Sequence, residues 1–333
     1  MRKKDINIRF IAEKCGVSTA TVSRVLNEDA RVSKDTRKKV LNAIDVYGYN
    51  LSAAARPKVH KVGVIMRINN PDYNTGLLRS ISDYFFARSI QVIACNSERD
   101  YSRIPETLDT LYDSGVMGVI LIRCPYLEIK EHLNPRIPHV WLDCNDSPED
   151  CPNICCTQSD HYTSGQIAAL ELLNHGCTRP ILINGIERSH RTFERNQGFI
   201  SEYEKKGIHL EENHFLYLPS IKDAFSESQD IVRYLLTKNF PFDGVFAVSD
   251  WRALGAYMGV KSMGKSIPKD IKIIGFDGIS LASRSVLNIT CVQQNVSQLA
   301  YSACRQLECL IDGQTVKNKH VIVPTGILPG QTI

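Results

Sequence analysis

The sequence contains no run of about 18 apolar residues, so no segment is suited to crossing a bilayer as a helix. It opens Met1-Arg2-Lys3-Lys4-Asp5-Ile6-Asn7, basic but with no apolar stretch behind, which gives no secretory signal and points to the cytoplasm. No G-x-G-x-x-G follows the first strand pattern and no P-loop occurs, which disfavours a nucleotide-dependent enzyme. The eleven cysteines include no C-x-x-C pair. Their densest group, Cys144, Cys151, Cys155 and Cys156, has only His161 nearby and does not match zinc spacing. They are expected to be reduced thiols acting as small hydrophobes, and no metal or other cofactor is expected. No leucine heptad follows Pro329, so an appended tetramerising coiled coil is not expected.

What is present fits a globular protein. The 333 residues are 43% hydrophobic and 23% charged, which excludes a disordered or coiled-coil chain and suggests two or three domains. The net charge of +4 is unevenly spread. Residues 1–60 hold 13 basic and 6 acidic side chains, whereas the remainder holds 27 against 30. A basic head on a mildly acidic body suggests an anionic partner for the head, nucleic acid foremost.

Residues 7–48 read as three short helices. Asn7 is placed to cap the first, with Ile8, Ile11, Ala12 and Cys15 on one face and Gly16 at its end. Ser18 caps a second helix from Thr19 to Leu26, with Val22, Val25 and Leu26 facing inward. Ser33 caps a third with the apolar stripe Val40, Ile44 and Tyr47, ended by Gly48. The tight Gly16-Val17-Ser18 turn marks a helix-turn-helix. The outer face of the second helix, Thr19, Ala20, Ser23, Arg24 and Asn27, carries no carboxylate, as an element entering the major groove requires. Arg24 suits a bidentate contact to guanine, Thr19 and Ala20 suit base edges or a thymine methyl, and Ser18, Thr21, Ser23 and Ser33 suit phosphate.

The run Ile11-Ala12-Glu13-Lys14-Cys15-Gly16-Val17-Ser18-Thr19-Ala20-Thr21-Val22-Ser23-Arg24-Val25-Leu26-Asn27 resembles the DNA-binding head of the lactose-repressor (LacI/GalR) family. Val32-Ser33-Lys34-Asp35-Thr36-Arg37 and Gly48-Tyr49 continue the resemblance in register. It implies that positions 19, 20 and 24 read bases, and that the DNA-binding set is Ser18, Thr19, Ala20, Thr21, Ser23, Arg24, Asn27, Arg31, Ser33 and Arg56. The following linker departs from the family. Ala55 and Arg56 match, but Leu51 and Ser52 replace the usual proline and asparagine. Lys58 stands where the family has a leucine that wedges into the minor groove. Pro57 disfavours helical geometry at Arg56.

From Val62 onward, short apolar strands alternate with amphipathic helices, the pattern of parallel sheets. Strands are expected at 62–66, 91–95, 118–122, 139–142, 180–184, 215–218, 244–248, 271–276, 290–293 and 321–323. Helices are expected near 76–88, 103–114, 163–175, 193–206, 223–238, 251–263 and 297–312. The count fits two Rossmann-like lobes. The whole therefore reads as an N-terminal all-α helix-turn-helix head (1–58) followed by an α/β two-lobed periplasmic-binding-protein-like regulatory domain (59–333). Lobe 1 is expected at about 61–160 and 292–323, and lobe 2 at about 161–291 and 324–333.

Ligands of open α/β sheets bind at the carboxyl ends of strands. Asp143, Asp250, Asp277, Gln293 and Gln294 stand at such ends, and Arg191 and Arg195 follow Asn184-Gly185. Carboxylates, amides and an arginine suit a polyhydroxylated ligand. The body also resembles the family. Asn69-Asn70-Pro71-Asp72-Tyr73, Arg195-Asn196-Gln197-Gly198-Phe199, Ser249-Asp250-Trp251-Arg252-Ala253, Ile274-Gly275-Phe276-Asp277 and Thr290-Cys291-Val292-Gln293-Gln294 carry the likeness. The effector-binding set it implies is Tyr73, Asp143, Arg195, Asp250, Asp277 and Gln294, with Trp251 at the core or lobe interface.

The expected function is sequence-specific transcriptional repression. The expected partners are double-stranded operator DNA, a small carbohydrate-like effector and a second copy of the chain, with no membrane. A solute-binding protein without DNA function shares the lobes but not residues 1–58. An enzyme built on Asp143, Asp250, Asp277, His161 or His190 lacks any nucleophile–base–orienter spacing.

Overall fold

The computed structural model describes residues 8–26, 29, 31–47, 59–66, 71–97, 101–144, 151–185, 189–219, 223–278 and 287–333. The Asn7 cap, Asn27, Gly48 and the linker 51–58 with Arg56 and Lys58 lie outside the described residues, as do Asn69 and Asn70. The chain divides into two compact units, Met1–His60 and Lys61–Ile333.

In the first unit, helices α1 (Ile8–Cys15), α2 (Thr19–Leu26) and α3 (Lys34–Tyr47) enclose a small core. Its buried members are Ile11, Ala12, Cys15, Val22, Val25, Leu26 and Val40. The caps follow from side-chain chemistry. The Ser18 hydroxyl accepts from the Thr21 amide at 3.1 Å, and that of Ser33 accepts from the Thr36 amide at 3.3 Å. Gly16 adopts φ +61, the left-handed geometry that ends α1. The stripe on α3 weakens outward: Val40 is buried, Ile44 half-buried, and Tyr47 exposed apart from an edge contact with Phe10.

The second unit holds two six-stranded sheets. The first comprises β1 (Lys61–Met66), β2 (Gln91–Asn96), β3 (Val119–Ile122), β4 (His139–Leu142), β5 (Ile154–Ser159) and β11 (His320–Val323), in the order β11-β5-β4-β3-β1-β2. The second comprises β6 (Pro180–Gly185), β7 (Phe215–Leu218), β8 (Gly244–Ala247), β9 (Lys272–Asp277), β10 (Thr290–Gln293) and β12 (Gly326–Leu328), in the order β12-β10-β9-β8-β6-β7. All pairings are parallel except β10 with β12. The central parallel strands are buried on both faces, which explains their unbroken apolar runs, whereas the edge strands β2, β7 and β11 are largely half-buried or exposed.

Helices α4 (Pro71–Phe86) and α11 (Val296–Ile311) cover one face of the first sheet, and α5 (Ile104–Asp113) and α6 (Tyr126–Ile129) the other. On the second sheet, α7 (His161–Asn174) and α8 (His190–Lys205) cover one face, and α9 (Ala224–Thr237) and α10 (Asp250–Ser262) the other. The chain passes between sheets three times: from β5 into α7, from β10 into α11, and from β11 to β12.

Two strands escaped the pattern reading. β5 reads Ile-Cys-Cys-Thr-Gln-Ser, whose polar second half hides a strand that is buried along almost its whole length. β12 is three residues long and pairs at an edge. Eight of the eleven cysteines, including Cys155 and Cys156, are buried and all eleven are free thiols. Burial pushes the thiol of Cys155 up to about 11 and that of Cys124 to about 12, which keeps both protonated and unreactive. Among the described residues, no helix is long and apolar enough to cross a membrane.

Candidate DNA and effector sites

Most of the described contact residues of the head are exposed. Ser18, Thr19, Ala20, Arg24, Arg31 and Ser33 are exposed, while Thr21 and Ser23 are half-buried. Val22, Val25 and Leu26 lock α2 by its inner face, so Thr19, Ala20, Ser23 and Arg24 are held outward at helical spacing. Arg31 is differently placed. Its Nε and Nη2 both donate to the Asp29 carboxylate, at 3.0 and 2.7 Å, and Asp29 also accepts from the Arg31 amide. Arg37 donates to the Asp29 carbonyl. Arg31 thus covers a carboxylate close to the recognition face, and those hydrogen bonds hold Asp29 well below the usual carboxylate range.

In the body, five residues from strand ends, crossovers and α4 converge. Asp143 follows β4 and is fully buried. Its Oδ2 accepts from the Tyr73 hydroxyl of α4 at 2.7 Å, and its Oδ1 accepts from the Ser159 amide at 3.1 Å. The Ser159 hydroxyl donates to Gln294 Oε1 at 2.6 Å, and Gln294 Nε2 donates to Asp277 Oδ1 at 2.7 Å. Tyr73 on α4 and Asp143 after β4 belong to the first lobe, Asp277 ends β9 of the second, and Ser159 and Gln294 sit on two of the crossovers. The network therefore joins the two lobes where the chain passes between them. Asp277, Gly278, Gln294 and the crossover residues Thr325 and Gly326 also border a cavity of about 540 Å³.

Two further contacts span the lobes and a third lies within the first lobe. Arg191 Nη1 on α8 donates to the Asp143 carbonyl oxygen at 2.6 Å. His161 Nε2, at the start of α7, lies 3.5 Å from Asp143 Oδ1. Arg123, after β3, places Nη2 3.6 Å from Asp143 Oδ2, with its guanidinium 4.4 Å from the Tyr73 ring centre. Arg195 packs 4.0 Å over the Phe276 ring and donates to the Val248 carbonyl. Asp250 stands apart from this network. It opens α10, fully buried, with Oδ1 at the point where a Cβ on Gly275 would fall. Trp251 is half-buried against the core beneath α9 and α10.

Charge and strain are concentrated here. Burial would raise the Asp143 carboxyl, but His161, Arg123 and Arg191 outweigh it and hold the group below its ordinary range. Asp277 goes the other way: burial raises it against the pull of Arg123 and Arg195. Arg123, Asp143 and Asp277 adopt φ +57, +54 and +113. Each such non-glycine residue costs on the order of 1 kcal/mol or more, a strain that clusters at functional sites. The reading of strand ends names Asp143, Asp250, Asp277, Gln294, Arg191 and Arg195, and the family resemblance adds Tyr73; neither names Arg123, Ser159 or His161 as effector contacts. Arg123 was findable by the same rule, since it follows Ile122 directly.

Burial also lowers His161 and His139 to about 4, against the pull of Asp143 on His161 and of a backbone hydrogen bond on His139. Both rings are thus neutral in the fold and take up a proton on unfolding below their ordinary value of 6.5. Stability should accordingly fall as pH drops from 6.5 towards 4, by up to about 3 kcal/mol for each ring. Asp143 contributes the same sense only below its unfolded value of 3.8, outside that window. Melting temperatures followed from pH 7 to 4.5 should decline steadily, and the decline should be shallower in His139→Gln. A flat profile in the unsubstituted protein would show the rings to be already charged in the fold.

Comparison with known proteins assigns the chain. Residues 7–52 match the family described as bacterial regulatory proteins, lacI family, and residues 169–333 match a periplasmic binding protein-like domain. A ribose operon repressor of Halalkalibacterium halodurans is 31% identical over 332 residues, covering 98% of this chain and 96% of its own. The chain is a lacI-family regulator. It is a sequence-specific DNA-binding regulator of transcription, and the helix-turn-helix match sets it apart from a solute-binding protein without a DNA head. Its fold is that of the lac repressor bound to operator and an anti-inducer, with a TM-score of 0.80 at 20% identity, covering 99% of each chain. An Enterococcus faecium lacI-family regulator with bound ribose gives a TM-score of 0.70 at 24% identity, over 82% of this chain and 98% of its own.

Proposed function

We propose that this lacI-family regulator is a homodimeric repressor acting on the nucleoid in the cytoplasm, and that its operator binding responds to a sugar or sugar derivative held between the lobes. The observation that carries the proposal is the buried polar network at the carboxyl ends of strands from both sheets, where Asp143, Tyr73, Ser159, Gln294 and Asp277 join the lobes directly. A polyhydroxylated ligand replaces such bonds one for one, since each hydroxyl both donates and accepts. The ribose operon repressor and the ribose-bound regulator named above support a carbohydrate effector.

Tyr73, Asp143, Arg195, Asp277 and Gln294 are the proposed effector contacts, with Asp250 supporting them from the β9 side. Ser18, Thr19, Ala20, Thr21, Ser23, Arg24 and Ser33 are the proposed DNA contacts, joined by Asn27 and Arg56. Arg31 contributes by shielding Asp29. A ligand that separates or re-seats the lobes must differ in affinity between the two states, and DNA must then change ligand affinity by the same factor.

Fluorescence anisotropy on duplexes from the gene's own upstream region, with random duplex as competitor, tests the proposal. Specific binding should exceed random by about a thousandfold or more, fall steeply as salt rises from 50 to 200 mM, and shift with a sugar or sugar derivative. Equal affinity for upstream and random duplex at physiological salt would overturn it.

A further inference from the structure

We infer that Asn184 is a further effector contact, and that it reads a pair of neighbouring hydroxyl groups on the part of the ligand nearest α8. The inference rests on the reading of the cleft as the effector site and extends that site from β9 to β6.

The placement follows from the pleat and register of the second sheet. Leu182, Phe246, Ile274 and Phe276 face the core under α7 and α8, whereas Ile181, Ile183, Val245, Ala247 and Ile273 face α9 and α10. Alternation along β6 therefore turns Asn184, its penultimate residue, to the α8 side. Asn184 pairs with Tyr217, Ile183 with Ala247, and Phe246 with Ile274. Beyond β8 the ladder continues, since the Val248 amide donates to the Ile183 carbonyl. Tyr217, Asn184, Val248 and Phe276 thus form one row across the carboxyl ends of β7, β6, β8 and β9. Phe276 immediately precedes Asp277, a proposed effector contact.

Helix α8 lays two side chains over this row. Arg195 stacks 4.0 Å over the Phe276 ring and donates through Nη1 to the Val248 carbonyl at 3.1 Å. Asn196 donates through Nδ2 to the Tyr217 hydroxyl at 3.4 Å. Asn184 occupies the row between these two anchor points.

Asn184, Arg195 and Asn196 are all buried. Neither Oδ1 nor Nδ2 of Asn184 has a hydrogen-bond partner among the described residues, and the same holds for Nε of Arg195 and Oδ1 of Asn196. An asparagine that served only the fold would bond at least one end of its amide to a neighbour, as buried polar groups do. An unpaired buried amide lowers stability instead, and proteins keep such destabilising groups where function needs them.

The unpaired atoms also define the ligand chemistry. Asn184 Nδ2 and Arg195 Nε donate, while Asn184 Oδ1 and Asn196 Oδ1 accept. A carboxylate only accepts and an ammonium only donates, whereas a hydroxyl does both. One hydroxyl accepting from Asn184 Nδ2 and its neighbour donating to Asn184 Oδ1 use both ends of the amide. Arg195 Nε and Asn196 Oδ1 supply the partners that remain.

The test replaces Asn184 by an apolar side chain of similar size in the full-length protein. Calorimetric titrations use D-ribose, D-glucose, sucrose and cellobiose. A sugar that binds the unsubstituted protein should bind Asn184→Leu about tenfold or more weakly, and Asn184→Ala likewise. Without sugar, Asn184→Leu should melt no lower than the unsubstituted protein, because leucine removes an unpaired polar group. Monodeoxy derivatives of the sugar that binds complete a cycle. At least one should bind the unsubstituted protein about fivefold or more weakly than its parent, yet match its parent in Asn184→Leu. A melting temperature lowered by more than about 4 °C in Asn184→Leu would assign the amide to the fold and overturn the inference. So would unchanged sugar affinity, or deoxy losses equal in both proteins, and in each case the sugar-site reading stands. If none of the four sugars binds the unsubstituted protein, both fall.

Discussion

Gly165→Ala should lower the melting temperature by roughly 6–12 °C. Helices α7 and α8 cross so closely that a Cβ on Gly165 would lie 2.0 Å from the carbonyl oxygen of Arg195 and 2.8 Å from the amide nitrogen of Phe199. The reciprocal position is as tight: a Cβ on Gly198 would lie 2.0 Å from the Tyr162 carbonyl oxygen. These obstacles are backbone atoms and cannot rotate aside, so the helices must separate. Overpacking of this kind costs about 3 kcal/mol, the upper part of its usual range. In a domain of this size each kcal/mol is worth about 2–4 °C. Separation also moves Arg195 itself, so effector affinity should fall alongside stability. Gly326→Ala is the control, because a Cβ there meets nothing within 4 Å and its backbone is not left-handed. It should melt within about 2 °C of the unsubstituted protein. Equal melting of Gly165→Ala and Gly326→Ala would show that α7 and α8 do not cross as described.

Such crossings show where sequence reading succeeds and where it stops. Gly198 was legible as part of a family-like R-x-x-G-F segment, but its partner Gly165 sits 33 positions away on another helix and has no local signal. Period and punctuation carried most of the fold. Every apolar run expected to be a strand is one, and the central strands, buried on both faces, have no alternation to obscure them. β5 was hidden because the polar side chains of Thr157, Gln158 and Ser159 look like a loop in one dimension. In three dimensions, the Thr157 hydroxyl donates to Gln306 at 2.9 Å and Ser159 to Gln294, so these groups are satisfied inside the protein.

The effector network is non-local in the same way. The principle that ligands meet the carboxyl ends of strands located Asp143, Asp277 and Gln294 individually. It could not show that they belong to one hydrogen-bonded set, since Tyr73 meets Asp143 across 70 positions and Ser159 meets Gln294 across 135. Nor does it show that Arg123, which it reaches as the residue after Ile122, stands beside Asp143. Arg123 looks like an ordinary loop residue until β3 and β4 are placed side by side, which sets its left-handed backbone next to that of Asp143.

Arg24→Ala should weaken operator binding by about 1–3 kcal/mol, a loss of roughly 5- to 150-fold, and should relax selectivity at one base pair per half-site. Arg24 is exposed in the last turn of α2, and the buried Val25 and Leu26 beside it fix the direction in which it projects. A guanidinium forks onto the O6 and N7 of guanine, and removal of that fork leaves the other bases of the site unaffected. Arg31→Ala provides the contrast. It uncovers the Asp29 carboxylate, which now sits under two guanidinium hydrogen bonds and close enough to Arg24 to feel its charge. A bare carboxylate near phosphate repels every duplex equally. That variant should therefore lose affinity for specific and random DNA by similar factors, with selectivity preserved. Competition titrations over a set of single-base operator variants separate the two outcomes. A uniform loss for Arg24→Ala, matching that of Arg31→Ala, would move base reading away from Arg24 and leave Thr19 and Ala20 to carry it.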